Sequence, residues 1–134
     1  MNILVCAKSV IVNKDRMLLL QRARDARISP DEWEIAGGTL EFGESPADCL
    51  IREVSEEAGI RIDIQRILYA ASVMIAPDTQ VIGLTYLSTT GDSRIKLSAE
   101  HQAFKWVDKA GLRGLLFRDM LCDFDKYRVF DILP

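Results

Sequence analysis

The stretch GESPADCLIREVSEEAG, residues 43–59, decides how the rest of the chain is read. Ser45 suits a helix N-cap, Pro46 the first helical position, and Asp48 stands in the capping-box place three residues after the cap. Gly59 supplies the matching stop. Between them the spacing predicts a helix over Pro46–Ala58, with Ala47, Leu50, Ile51, Val54 and Ala58 forming one apolar stripe. At about 100° per residue, Glu56 and Glu57 lie within roughly 60° on either side of Glu53, and the stripe centres about 110° away. Such a helix buries one edge and presents three acids to a cleft. Like charges at i,i+4 cost a helix roughly 0.2 to 0.5 kcal/mol per pair, so something positive is expected among them. Arg52, four residues before Glu56, can hold one glutamate in place but cannot neutralise all three.

Carboxylate and carbonyl oxygens are hard ligands that suit Mg2+ or Mn2+. Zn2+ prefers nitrogen and sulfur, which the chain does not cluster suitably. Magnesium keeps waters and phosphates in its shell, so the implied partner is a small phosphate-bearing molecule. A retained water, deprotonated by a carboxylate, is then the expected nucleophile.

Working outward, Ile3–Val12 and Met17–Gln21 are aliphatic runs joined by the polar turn Asn13–Arg16 and read as a hairpin-like pair. Arg22–Glu32, with Arg22, Arg24, Arg27 and Ser29-Pro30-Asp31, reads as an exposed loop. Trp33–Ile35 re-enters a strand that Gly37-Gly38 breaks. After the helix, Ile60–Ala76, Gln80–Thr89 and Phe104–Val107 read as strands, the first with a split left open, and Ala110–Tyr127, or part of it, as a second helix. Strands, helix, strands, helix indicates α+β or a mixed α/β sandwich.

The 134 residues are expected to form a single domain spanning 1–134, with 49% hydrophobic and 28% charged residues. No apolar run reaches the length of a membrane span, and MNILVCAKSVIV reads as a first strand, not a signal peptide. Cys6, Cys49 and Cys122 are odd in number and show no CxxC pairing, which fits a reducing cytoplasm. A net charge of -3 argues against a general nucleic-acid binder. A homodimer is left open.

The run Gly38-x5-Glu44-x7-Arg52-Glu53-Val54-Ser55-Glu56-Glu57-Ala58-Gly59-Ile60 resembles the Nudix box at every defining position. WEIAGG before it is also similar to the family's pattern, with Ala36 where proline is common. The resemblance implies an α/β/α sandwich with a mixed sheet between helices, and hydrolysis of a nucleoside diphosphate linked to another group with Mg2+ or Mn2+. It implies metal ligation by Glu53, Glu56, Glu57 and the Gly37 carbonyl, with Glu53 also a candidate general base. Arg52 would orient the glutamates and Glu44 would brace the loop, with Gly38 and Gly59 completing the box.

Glu100, in a loop before a strand, is the second candidate for base or metal ligand. His101, the only histidine, reads as structural, and Cys49 as buried packing. Arg22 is the arginine best placed to receive phosphate, and Asp119 could accept hydrogen bonds from a purine edge. Ala70–Ala76 lacks marks associated with ADP-ribose, coenzyme A or dinucleoside polyphosphate members, which leans the reading toward free (d)NTPs, oxidised ones included. Alternatives are a hydrolase of nucleotide sugars or ADP-ribose, and a binding domain that senses a nucleotide without turnover. Degenerate boxes are expected of such sensors, and this box is intact.

Overall fold

In the computed structural model, which describes residues 1–134, the sheet is organised around a fork between its first two strands. Strands β1 (Asn2–Asn13) and β2 (Arg16–Arg22) pair only at Val12 with Met17 and Asn13 with Arg16, next to a Lys14-Asp15 turn. They then part, and two short strands fill the gap. β3 (Trp33–Glu34) pairs antiparallel with β2, and β4 (Ala36–Thr39) antiparallel with β1. Outside the fork, β7 (His101–Val107) lies antiparallel to β2, and β6 (Thr79–Thr89) runs parallel to β1 along eleven residue pairs from Asn2 to Val12. The edge strand β5 (Asp63–Ala76) completes this mixed sheet, antiparallel to β6.

Period-two alternation sorts the central side chains to two faces. Ala7, Ile11, Leu18 and Leu20 meet helix α1 (Pro46–Ala58) through Cys49, Leu50, Val54 and Ala58. Val10, Met17, Leu19 and Tyr69 meet α2 (Lys109–Leu115), α3 (Arg118–Lys126) and a 3-10 turn (Val129–Asp131) through Leu112, Phe124 and Val129. The expected sandwich, helices on both faces of a mixed sheet, is the observed one. Full burial of each aliphatic core side chain contributes roughly 1.5 to 3 kcal/mol.

Helix α1 has the expected bounds. Ser45 is extended at φ -75° and ψ 157°, and its Oγ accepts the Asp48 N–H at 3.1 Å. Gly59, left-handed at φ 69°, donates its N–H to Ser55 O. The helix is nevertheless rotated from the expected stripe: Ala47 and Ile51 are exposed, while Cys49 and Glu57 face inward. Burial of Cys49 follows the expectation, and burial of a glutamate does not.

Four segment boundaries are corrected. Gly37 and Gly38 continue a strand, β4, because β1 approaches so closely there that only glycine fits: a Cβ on Gly37 would lie 2.1 Å from Ala7 O. Strand β5 begins at Asp63 and stays continuous through three register shifts, bulges that bend it without splitting it. β7 begins at His101, three residues before the expected Phe104. The expected single helix over Ala110–Tyr127 is two. Leu116 is extended at φ -59° and ψ 138°, because it bridges to Trp33 and the Phe117 N–H donates to Trp33 O. No helix is long and apolar enough to cross a membrane.

Candidate active site

Arg52 stands at the centre of a knot of carboxylates on the exposed side of α1. Its guanidinium forks onto Glu44, with Nε 2.7 Å from Oε2 and NH2 3.0 Å from Oε1. Its NH1 reaches Glu53 Oε1 at 3.0 Å and Glu56 Oε2 at 3.3 Å, and Glu41 lies at 3.8 Å. One cation therefore faces four acids. The Arg52 hydrogen bonds hold the Glu44 carboxyl down to about 2, and the same bonds keep the arginine charged. Glu44 also accepts the Glu41 N–H, which closes the loop onto the helix. Burial raises Glu53 above its ordinary value against the pull of Arg52, and the charges of Glu56 and Glu100 add to the rise.

Glu57 points the other way, into the fork of the sheet. Its Oε1 accepts the Gly37 N–H at 2.9 Å, yet burial pushes its carboxyl up to about 8, with the Glu34 and Glu100 charges contributing. Next to it, Glu34 accepts from Lys8 Nζ at 3.1 Å and Arg22 NH1 at 3.2 Å, and meets His101 Nε2 at 2.7 Å. Burial would raise Glu34, but the His101 bond and the two cations outweigh it and bring the carboxyl to about 2. A Glu34 held ionised can only accept, so His101 Nε2 carries the hydrogen of that bond, and the ring's other nitrogen is Nδ1. That atom has no hydrogen-bond partner and faces Glu57 Oε2 at 3.7 Å.

The box glutamates thus divide: Glu53 and Glu56 share Arg52 as donor, and Glu57 takes the Gly37 N–H. The acid-rich triad whose ligand atoms lie within 4.8 Å of one another is Glu34, Glu57 and His101, not Glu53, Glu56 and Glu57. Lys8 and Arg22 already compensate Glu34 in that triad, so a cation fits better against the Arg52 knot and the buried Glu57 carboxyl. The donor set there fits a hard divalent ion: it is all oxygen, carries more negative charge than Arg52 balances, and holds two carboxyls raised by burial. Gly38 leaves the necessary room, since a Cβ there would lie 2.4 Å from Glu53 Cδ.

Of the other predicted residues, Glu100 is exposed, and its charge is felt by both Glu53 and Glu57. Arg22 is half-buried and engaged by Glu34 and by Ile28 O, while Arg24 makes only an exposed pair with Asp31. Asp119 lies apart from the box, in a cleft of about 430 Å3 between the sheet and α3 that Lys8, Tyr69, Thr85, Phe117 and Asp123 also line. No box glutamate lines this cleft. Lys8 joins it to the buried cluster.

Lys8 and Glu34 escaped the sequence reading, although both left a signal. Lys8 is the one charge within the apolar run Ile3–Val12, and Glu34 alternates between Trp33 and Ile35 where a strand must bury one face.

The comparisons agree with this geometry. The NUDIX domain family model matches residues 4–124. A nucleoside triphosphatase NudI from Enterobacter sp. (strain 638) is 27% identical over 116 residues, covering 79% of this chain and 82% of that protein. An octanoyltransferase from Myxococcus xanthus is 35% identical over 80 residues, 57% of this chain but only 22% of that protein's length. The crystal structure of a MutT protein from Methanosarcina mazei Go1 superposes with a TM-score of 0.84 at 24% identity, covering 96% and 95% of the two chains. The chain belongs to the NUDIX family. The expected enzyme class, a hydrolase of pyrophosphate linkages, stands with it.

Proposed function

We propose that this chain hydrolyses a nucleoside triphosphate to the monophosphate and pyrophosphate in the presence of Mg2+, with Mn2+ as a substitute. The observation that carries the reading is the excess of oxygen donors around Arg52 and Glu57, with Glu53 and Glu57 both raised by burial. The resemblance to a protein named as a nucleoside triphosphatase supports the substrate class.

Glu53, Glu56, Glu57 and the Gly37 carbonyl would hold the metal, which when bound withdraws charge from phosphate oxygens and acidifies a water. Glu53 is the base of choice. Partial burial brings its proton affinity toward the working pH, and Arg52 at 3.0 Å fixes its orientation. Glu100, whose charge reaches Glu53, is the alternate base. Arg52, braced by Glu44, positions both Glu53 and Glu56. Arg22, at the end of β2, would meet phosphate only by exchanging its bond to Glu34.

The test is pyrophosphate and phosphate release over NTPs, dNTPs, oxidised dNTPs, nucleotide sugars and ADP-ribose, with Mg2+ and with chelator. Glu53→Gln should lower kcat by about 10² to 10⁴ while the fold remains intact, and Glu100→Gln should lower it less. Tight nucleotide binding with no metal-dependent release from any substrate would turn the reading to a sensor. Turnover confined to nucleotide sugars or ADP-ribose would overturn the triphosphate assignment.

A further inference from the structure

The sheet ends in a long strand whose centre is unprotected. β5 pairs only with β6, so alternate N–H and C=O groups along its other side have no partner in the chain. Sheets blunt such edges with charge, proline, bulges or shortness. The edge formed by β7 is seven residues long and carries Lys105. β5 uses these devices only toward its ends. From Ile67 to Ala76 it has no charged residue and no proline, and from Tyr69 to Met74 its register with β6 runs unbroken. Side chains there are not drawn into the core: Ala70, Ser72, Val73, Met74 and Ile75 are all exposed, the last three at 57 to 58%.

What fits this edge follows from the strand's own symmetry. Two copies laid antiparallel about a two-fold axis through Ser72 set residues equidistant from Ser72 opposite one another, on the same face of the sheet. Ala70 then meets the partner's Met74 and Ala71 meets the partner's Val73, a small side chain against a large one each time. Arg66 and Asp78 stand six positions to either side of Ser72, with one bulge on each side. The same axis therefore brings Arg66 toward the partner's Asp78 at both ends of the pairing. Both residues are exposed and neither forms an ion pair within its own chain. Arg66 Nε donates to Ile67 O, and Asp78 Oδ1 accepts from the Thr79 hydroxyl. A strand from another protein would have to reproduce this spacing of size and charge, whereas a second copy does so by symmetry.

We propose that the β5 edge is a homodimer interface, in which Ala70–Met74 pairs antiparallel with the same segment of a second copy and two seven-stranded sheets continue as one. No residue of the pairing belongs to the Arg52 knot or to the Glu34, His101 and Glu57 cluster, so the interface stands apart from the hydrolase reading.

The test is the mass of the intact chain by sedimentation equilibrium, from about 1 μM to about 1 mM. The wild type should pass from 15.1 kDa to twice that mass as concentration rises. Amide hydrogen exchange at Ala70–Met74 should slow as the dimer forms. Ser72→Lys sets two like charges at the axis and should hold the chain at 15.1 kDa throughout. Arg66→Asp and Asp78→Arg should each raise the dimer dissociation constant by about 10-fold, because two attractive pairs become repulsive. The double variant rebuilds both pairs with their signs exchanged and should return the constant to within about threefold of wild type. This exchange reads the register even if Ser72→Lys lowers the melting temperature. A wild type still monomeric at about 1 mM would overturn the proposal and leave the edge to a strand from a different protein. A dimer that survives Ser72→Lys, or a double variant no tighter than either single one, would overturn it too, by placing the contact elsewhere.

Discussion

Gly38→Ala separates the site from the fold, because its new methyl group meets a side chain and not the backbone. A Cβ at Gly38 would lie 2.4 Å from Glu53 Cδ and 2.5 Å from Oε2, where ordinary contact begins at 3.4 Å. The carboxylate must therefore retreat by about 1 Å, the difference between 3.4 and 2.4. Retreat is cheap for the fold, since the atoms met are the far end of a flexible side chain and not backbone. It disturbs the 3.0 Å bond from Arg52 to Oε1, which sets where the base stands. A displacement of about 1 Å in a catalytic group can cost on the order of 10²-fold in rate, or about 2.7 kcal/mol of barrier. The assay is kcat/KM for the best triphosphate beside the thermal midpoint, which should move by no more than about 3 °C. Gly37→Ala is the contrast: its Cβ meets Ala7 O at 2.1 Å and Lys8 Cα at 2.6 Å at a φ of 140°, and it should unfold the fork. Gly38→Ala retaining activity within about threefold of wild type would refute the placement of Glu53 against β4 as the catalytic geometry.

Three further outcomes are expected. Glu57 keeps its proton to about 8 when folded and releases it near 4.5 when unfolded. Its contribution is therefore fully present below about 4.5 and lost as pH rises toward 8, on the order of 3 to 5 kcal/mol for chelator-treated protein. Glu57→Gln should flatten that loss in urea titrations across pH, and an unchanged slope would count against it. Glu34→Gln leaves Lys8, Arg22 and His101 around a neutral amide and should cost about 3 to 5 kcal/mol, read as a lower denaturation midpoint. Arg52→Lys keeps the charge but cannot fork onto Glu44 while reaching Glu53. It should lower kcat by about 10- to 100-fold with little change in melting, and full activity would show that charge alone suffices.

What the sequence disclosed was what short-range chemistry controls. Helix α1 was legible to the residue because Ser45, Pro46 and Gly59 act on the backbone within one turn. The Arg52 partners were legible in part because Glu56 is its i,i+4 neighbour. Glu53 and Glu56 meet together at Arg52, but Glu57 turns inward, away from the face that helical spacing gave all three, because spacing says nothing about which donor each will find. Their separation comes from residues far along the chain. Gly37 takes Glu57 from a strand laid against β1, and Arg52 keeps Glu53 and Glu56 because Glu44 anchors its other nitrogens.

The glycine pair shows why that second layer stays hidden. Read locally, two glycines signal a break, because conformational freedom is what glycine offers a single chain. In the folded protein Gly38 is used for its missing side chain, which admits the Glu53 carboxylate against a strand. Gly37 is used for both properties: a φ of 140° and contact with the β1 backbone. The same argument covers the break between α2 and α3, where Leu116 and Phe117 leave helical geometry to bond Trp33, more than eighty residues earlier. It also accounts for Glu34 and Lys8. A charged residue in an apolar strand can be flagged from sequence as needing a partner, but the partner is chosen by the fork where β1 and β2 diverge. The site is assembled at that fork, where the backbone hydrogen bonds of β1 pass from β2 to β4 and side chains from both faces of the sheet come within reach of each other.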